Sequence, residues 1–247
     1  MIIESVKKYL ESLPPDRDPK KISMSSLGHC QRQLAYRHHG QAGRSLDWKA
    51  LSIFDDGNKI HDQVRGWLRL ALVESPFELV MEEADVEVAT PKGRRVGGHC
   101  DGVLKPRSAS GPAPMLLEVK SMADYAFEKL VSSGELDEGY VVQATAYMRG
   151  LSLASALVLA KNKNTSELFE VVLKPNDAAL DKRLAILDTV LDSESAPGVE
   201  REHKPNPKGF LPWQCGYCPF WKTCWEDYGP VEKSRNKVQL VNWKEEK

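Results

Sequence analysis

Two stretches decide the fold. They are Val96-Gly97-Gly98-His99-Cys100-Asp101-Gly102-Val103-Leu104 and Met115-Leu116-Leu117-Glu118-Val119-Lys120-Ser121. Both read as short strands. Pro106–Pro114 between them, rich in Pro, Ser, Gly and Ala, reads as a hairpin tip. Residues two apart on a strand share a face, so Glu118 and Lys120 project together, as do His99 and Asp101. Antiparallel pairing then brings Asp101 beside Glu118 and Lys120. Two adjacent carboxylates bind a hard cation such as Mg²⁺ or Mn²⁺. A nearby lysine can hold the attacking water while the metal stabilises charge on a phosphodiester. E-x-K alone is a weak signal, because a solvated strand end has the same spacing. Its weight comes from the apolar Met115, Leu116 and Leu117 before it, since a charged pair ending a buried strand is costly without a role.

Working outward, residues 2–12 read as a short helix ended by Pro14 and Pro15, and residues 13–23 as a polar connector. Ser25 and Ser26 cap a helix through about Tyr36. A long helix runs from about Lys49 to Val73, with Ile53, Ile60, Val64, Trp67, Leu68 and Ala71 as its apolar face. Leu79–Val88 alternates as a half-exposed strand does. Helices follow at 122–133 and 137–150, strands at 154–160 and 167–173, and a helix at 177–191. The order predicts an α/β sandwich with a mixed central sheet flanked by helices.

The chain has 247 residues, enough for one full core. We expect a single domain, 1–247. It comprises a helical part (1–75), an α/β core (76–192), a cysteine-bearing segment (193–230) and a polar tail (231–247). A net charge of −1 gives no global field for nucleic acid, so binding must come from local basic patches. Candidates are Arg32, Arg37 and Arg44, the turn of Lys92, Arg94 and Arg95, and Lys161 with Lys163 at a strand exit. Solvated surface is the commoner reading of each. No apolar run is long enough to span a membrane, and Met1–Leu10 lacks a signal peptide's apolar core, which points to the cytoplasm.

In that compartment clustered cysteines are metal ligands before they are disulfides. Cys215, Cys218 and Cys224 stand in C-x2-C-x5-C spacing and Cys30 is a distant fourth, leaving Cys100 as a core bystander. Zinc ribbons show paired knuckles. A solitary ligand with an asymmetric trio favours a 4Fe–4S cluster, with Zn²⁺ as the alternative. Trp213, Tyr217, Phe220, Trp221 and Trp225 are placed to shield it.

Taken together, these residues resemble the PD-(D/E)XK nuclease superfamily, in its RecB-like and AddB-like branch with a four-cysteine iron–sulfur cluster. That branch is similar to the CRISPR-associated RecB-like exonucleases. The motifs are Gly98-x-x-Asp101, Glu118-x-Lys120, Gly57-x-x-x-His61, Gln143-x-x-x-Tyr147 and the four cysteines, with Cys100 where the superfamily's name has proline. The resemblance implies a restriction-endonuclease-like core with catalytic Asp101, Glu118 and Lys120. It implies a metal held by His61, Asp101, Glu118 and the Val119 carbonyl, and DNA contacts from Gln143, Tyr147 and Arg32. The activity implied is a Mg²⁺- or Mn²⁺-dependent exonuclease on single-stranded DNA or DNA ends, in a phage or prokaryotic setting. The alternative is a DNA-binding subunit of a repair, recombination or CRISPR-adaptation complex. The sequence has no helicase P-loop, so a motor that acts with it would be a separate subunit; the partners implied are DNA and a helicase, recombinase or integrase subunit.

Overall fold

Short runs of aliphatic and β-branched residues separated by helical segments give this chain its layers. The computed structural model describes residues 2–13, 18 and 20–244. In chain order its elements begin with α1 (Ile2–Ser12), a 3-10 turn (Met24–Ser26), α2 (Gln31–His38) and α3 (Trp48–Ala71). Five strands follow: β1 (Phe77–Val80), β2 (Asp85–Ala89), β3 (Arg95–His99), β4 (Gly102–Pro106) and β5 (Met115–Met122). Next come α4 (Asp124–Ser133), α5 (Glu138–Gly150), β6 (Ala156–Asn162), β7 (Leu168–Leu173) and α6 (Asp177–Leu191). The last are α7 (Trp213–Tyr217), α8 (Trp221–Cys224), a 3-10 turn (Glu226–Tyr228), β8 (Pro230–Ser234) and β9 (Lys237–Leu240). Among the described residues no helix is long and apolar enough to cross a membrane.

Two compact units result. The first holds Met1–Leu13, Ser23–Gly28 and Asp47–Ala185; the second holds Pro14–Ile22, His29–Leu46 and Ile186–Lys247.

The first unit is α/β, with a mixed central sheet ordered β1-β4-β5-β6-β7. All its neighbours pair antiparallel except β5 and β6, which run parallel. Strand alternation assigns the two faces. Leu117, Val119, Leu157 and Leu159 pack against Val64 and Leu68 of α3. Met122 and Ala160 pack against Phe127 and Leu130 of α4 on the other. The Asp47 side chain caps α3 by accepting from the Ala50 N–H at 2.8 Å, and Asp137 caps α5 through Gly139.

The second unit has two cores. One joins Leu34, Ala35 and Tyr36 of α2 to Val190, Ala196, Val199 and Phe220. The other joins Leu211, Cys215, Trp221 and Trp225 to Val238 and Leu240 of the β8–β9 hairpin. Gly216 is needed where α7 meets that hairpin, because a Cβ there would lie 1.8 Å from the Asn236 carbonyl oxygen.

Several expected elements differ in detail. The strand expected over 79–88 is two, broken at Met81–Ala84, where Met81 and Glu83 take positive φ. The strand over 96–104 also divides, at Cys100–Asp101; β3 pairs with β2, and β4 joins the large sheet. Ser25 and Ser26 lie inside a 3-10 turn, and the helix after it starts from Cys30 as N-cap. The polar tail contains a hairpin, because Val238 and Leu240 alternate into the core. Ile53 and Trp67 sit on the expected apolar face of α3 yet are exposed. Of the expected shielding aromatics, Phe220, Trp221 and Trp225 are buried while Trp213 and Tyr217 face solvent. Pro14 and Pro15 lie outside the described residues.

Candidate active site

Antiparallel pairing of Gly102 with Leu117 puts Asp101, just before β4, next to Glu118 on β5. Asp101 is held from two sides. Its Oδ1 is 3.0 Å from His61 Nδ1 on α3, and its Oδ2 accepts the Val119 N–H at 2.7 Å. Lys120 Nζ donates to Glu118 Oε1 at 2.6 Å and to Gln143 Oε1 on α5 at 3.0 Å, and lies 4.6 Å from the Tyr140 ring centroid. Asp101, Glu118 and Lys120 are all buried. The other oxygen of Glu118, Oε2, is buried with no hydrogen-bond partner.

The two carboxyl groups diverge electrostatically. Burial pushes the Glu118 carboxyl up and the Asp101 charge adds to this; Lys120 opposes both, and the net direction is upward. Burial acts the same way on Asp101 but is overcome by the hydrogen bond and charge of His61, the Val119 N–H and Lys120, so its carboxyl stays below the usual range. Tyr147 is pushed up by burial and by the Glu118 charge, so its phenol stays protonated.

Gln143 and Tyr147 are one turn apart on α5 and face this centre, and Tyr147 passes over Gly98 of β3. A Cβ at Gly98 would lie 2.7 Å from Tyr147 Oη and 3.2 Å from Met24 Cβ, so glycine is what lets the helix approach. His99 instead pairs with Asp85 at 3.0 Å and is exposed, while Cys100 is buried behind the turn. Arg65 and Tyr140 are site residues the sequence reading missed. Arg65 is buried, bound to Asp62 and Glu83, and 4.0 Å from Asp101 Oδ1. Its spacing four after His61 is the sequence signal that it shares that helix face.

The donor set suits a hard divalent cation. A fully buried carboxylate oxygen without a partner, beside a second ionised carboxylate, is costly unless a cation arrives. His61, Asp101 and Glu118 are the residues that would hold one, although their ligand atoms do not all lie within 4.8 Å of one another, so the side chains would have to close on the ion.

The cysteines lie in the second unit. Cys30 caps α2, Cys215 lies in α7, Cys218 follows it and Cys224 ends α8; none is in a disulfide. Burial pushes the Cys215 and Cys218 thiols up to about 12, with repulsion from Cys30 and from the other cysteines adding to it. The Cys215, Cys218 and Cys224 thiols are all raised, by burial first and then by neighbouring cysteines, while no three of the four sulfurs lie within 4.8 Å of one another. Arg201 donates twice to the Cys224 carbonyl, at 3.1 and 2.5 Å, and stacks 4.3 Å from the Trp225 centroid. Cys30 also has ligand atoms of Glu202 and His203 within 4.8 Å. Arg32 is committed inside this unit, donating to the Val199 and Pro197 carbonyls at 2.5 and 2.8 Å.

No protein-family model matches the sequence, and no curated protein matches it. Solved structures are similar in fold. The crystal structure of SSO0001 superposes with a TM-score of 0.50 at 16% identity, over 89% of this chain and 94% of that one. An alkaline exonuclease (LHK-Exo) from Laribacter hongkongensis superposes with a TM-score of 0.49 at 13% identity, over 76% and 90%. A phage related exonuclease from Haemophilus somnus 129PT gives 0.44 at 15%, over 70% and 93%. The chain thus shares the fold of SSO0001 along most of both lengths, while its chemistry rests on its own site.

Proposed function

We propose that this chain is a metal-dependent deoxyribonuclease with a PD-(D/E)XK site of the RecB-like branch. In this reading it acts as an exonuclease on single-stranded DNA or DNA ends. The observation that carries the reading is Glu118. It is fully buried, with one oxygen on Lys120, the other on nothing, and a second carboxylate beside it.

A bound Mg²⁺ or Mn²⁺ supplies charge stabilisation at the phosphodiester and acidifies the attacking water. The residues divide the remaining work. Asp101, kept ionised by His61 and the Val119 N–H, offers a carboxylate at neutral pH. Glu118 offers Oε2, His61 a ring nitrogen, and Val119 its carbonyl. Lys120 has three donors and spends two on Glu118 and Gln143, so the third is left to hold the water. Gln143 fixes that ammonium, and Tyr147 keeps its proton and serves as a donor to substrate.

In the second unit, the four cysteines hold a 4Fe–4S cluster that fastens the segments bearing them. Zinc is the second reading, favoured by the Cys30–Glu202–His203 group. Iron and zinc analysis of anaerobically purified protein separates the two. A helicase, recombinase or integrase subunit is the expected partner, in the cytoplasm of a prokaryotic or phage-infected cell. The test of the activity is DNA cleavage with Mg²⁺ or Mn²⁺ by the wild type and Asp101→Ala. The variant should lose at least about a thousandfold in rate; unchanged specific activity would sink the reading.

A further inference from the structure

Most buried cations of the first unit have a carboxylate or a backbone carbonyl as partner. Lys120 has Glu118, Arg65 has Asp62 and Glu83, and Arg183 donates to the Leu27 carbonyl at 2.6 Å. Lys161 differs. It is 7% exposed, its Nζ donates to Gln63 Oε1 at 3.1 Å, and it lies 5.5 Å from the Trp67 ring centroid. Neither partner is charged, and Lys161 forms no ion pair among the described residues. An ammonium has three donors, so two remain uncommitted. A buried cation without an anion is costly, and an arriving anion offsets that cost.

Its position says which anion. Lys161 pairs with Ser121 one step beyond the Lys120–Ala160 pair, at the carboxyl end of the parallel strands β5 and β6, which turns it to the sheet face covered by α3, the helix that also carries His61, and away from the face of Glu118 and Lys120. In open α/β sheets, ligands bind beyond the carboxyl ends of the strands. Gln63 follows His61 by two residues on α3. Trp67, one turn further, keeps 44% of its surface exposed although its neighbours Val64 and Leu68 turn into the core. A desolvated cation with an amide beside it and an exposed indole over it matches one nucleotide of a single strand, with its phosphate on the cation and its base on the ring.

We propose that Lys161, Gln63 and Trp67 form a subsite for single-stranded DNA leading to the cleavage centre. Lys161 and Gln63 take a phosphate and Trp67 stacks the adjoining base. The inference rests on reading that centre as a nuclease.

The test is equilibrium binding of a fluorescein-labelled oligodeoxythymidylate to the full chain in EDTA, so that nothing is cleaved, across a salt series. Lys161→Met should flatten the slope of log K against log salt by about 0.7, the value for one phosphate on a single strand. Lys161→Arg should restore it. Trp67→Leu should weaken binding about tenfold at every salt concentration with the slope unchanged. A folded Lys161→Met with wild-type affinity and slope overturns the proposal. If that variant does not fold, Trp67→Leu decides, and unchanged affinity overturns it. Binding that depends on Lys161 and Trp67 in a protein that cleaves nothing sinks the nuclease reading and keeps the subsite. Cleavage that needs Asp101, with binding indifferent to both residues, does the reverse. A wild type that binds no oligonucleotide overturns both.

Discussion

Lys120→Met separates a buried lysine paired with Glu118 from a solvated strand-end lysine by its effect on stability. In the wild type, Glu118 Oε1 has its ammonium partner at 2.6 Å and Oε2 has none. Methionine fills similar space but removes the donor, stranding a fully buried carboxylate. Breaking a buried pair from one side costs about 3–5 kcal/mol. Glu118→Gln/Lys120→Met removes both charges, and a neutral pair of similar shape should be as stable as the wild type or more stable, by up to about 4 kcal/mol. The assay is urea denaturation in EDTA at pH 7.

The pH dependence carries its own sign. Glu118 has a raised folded-state pKa, so its contribution to stability is fully present below its unfolded pKa and is lost as pH rises through the folded one. Removing the opposing Lys120 charge raises the folded pKa further, so the Lys120→Met deficit should shrink on going from pH 7 to pH 5. Asp101 acts in the opposite sense, because its pKa is lowered, but only at more acid pH, as pH falls through its folded value. With EDTA omitted, Mn²⁺ at a hundred times its Kd should add about 2.7 kcal/mol. A Lys120→Met protein within about 0.5 kcal/mol of the wild type, or a deficit independent of pH, would refute the reasoning.

Two other perturbations follow from close contacts. Gly98→Ala drives a methyl group against Tyr147 Oη and should cost about 1–3 kcal/mol. It should slow cleavage about a hundredfold by displacing the Tyr147 end of α5, and adding Tyr147→Phe should recover part of the lost stability in thermal melts. In the second unit, Cys30→Ala should lose the bound metal, lower stability and reduce activity as a consequence; full iron content with an unchanged melt contradicts the clasp. Arg201→Lys should also lower iron content, because lysine cannot reproduce two bonds to one carbonyl while stacked on Trp225.

The parts of the fold that local pattern dictates were legible in the sequence. The apolar run into Glu118 and Lys120 marks a buried strand with a charged end, and the helices at 2–12, 137–150 and 177–191 follow from period and capping residues. What local pattern does not encode is which sheet a strand joins. Val96–Leu104 reads as one strand because its β-favouring residues run on. The break at Cys100–Asp101 exists because β3 pairs with β2, while Asp101 is drawn to the His61 side chain and the Val119 N–H. The break at Met81 and Glu83 needs positive φ at residues that carry no glycine-like signal. Trp67 sits at a core-facing period and yet is exposed, since period fixes direction and not what lies above. Arg65 and Arg201 were passed over because charged residues on helices and loops are mostly solvated, and only tertiary partners distinguish these two.

The most direct test is digestion of end-labelled single-stranded DNA with Mn²⁺ by the wild type, with Asp101→Ala as control. The account predicts stepwise loss of nucleotides from an end by the wild type, arrest by EDTA, and no digestion by the variant. Digestion by Asp101→Ala at the wild-type rate, or none by a wild type loaded with Mn²⁺, would contradict it.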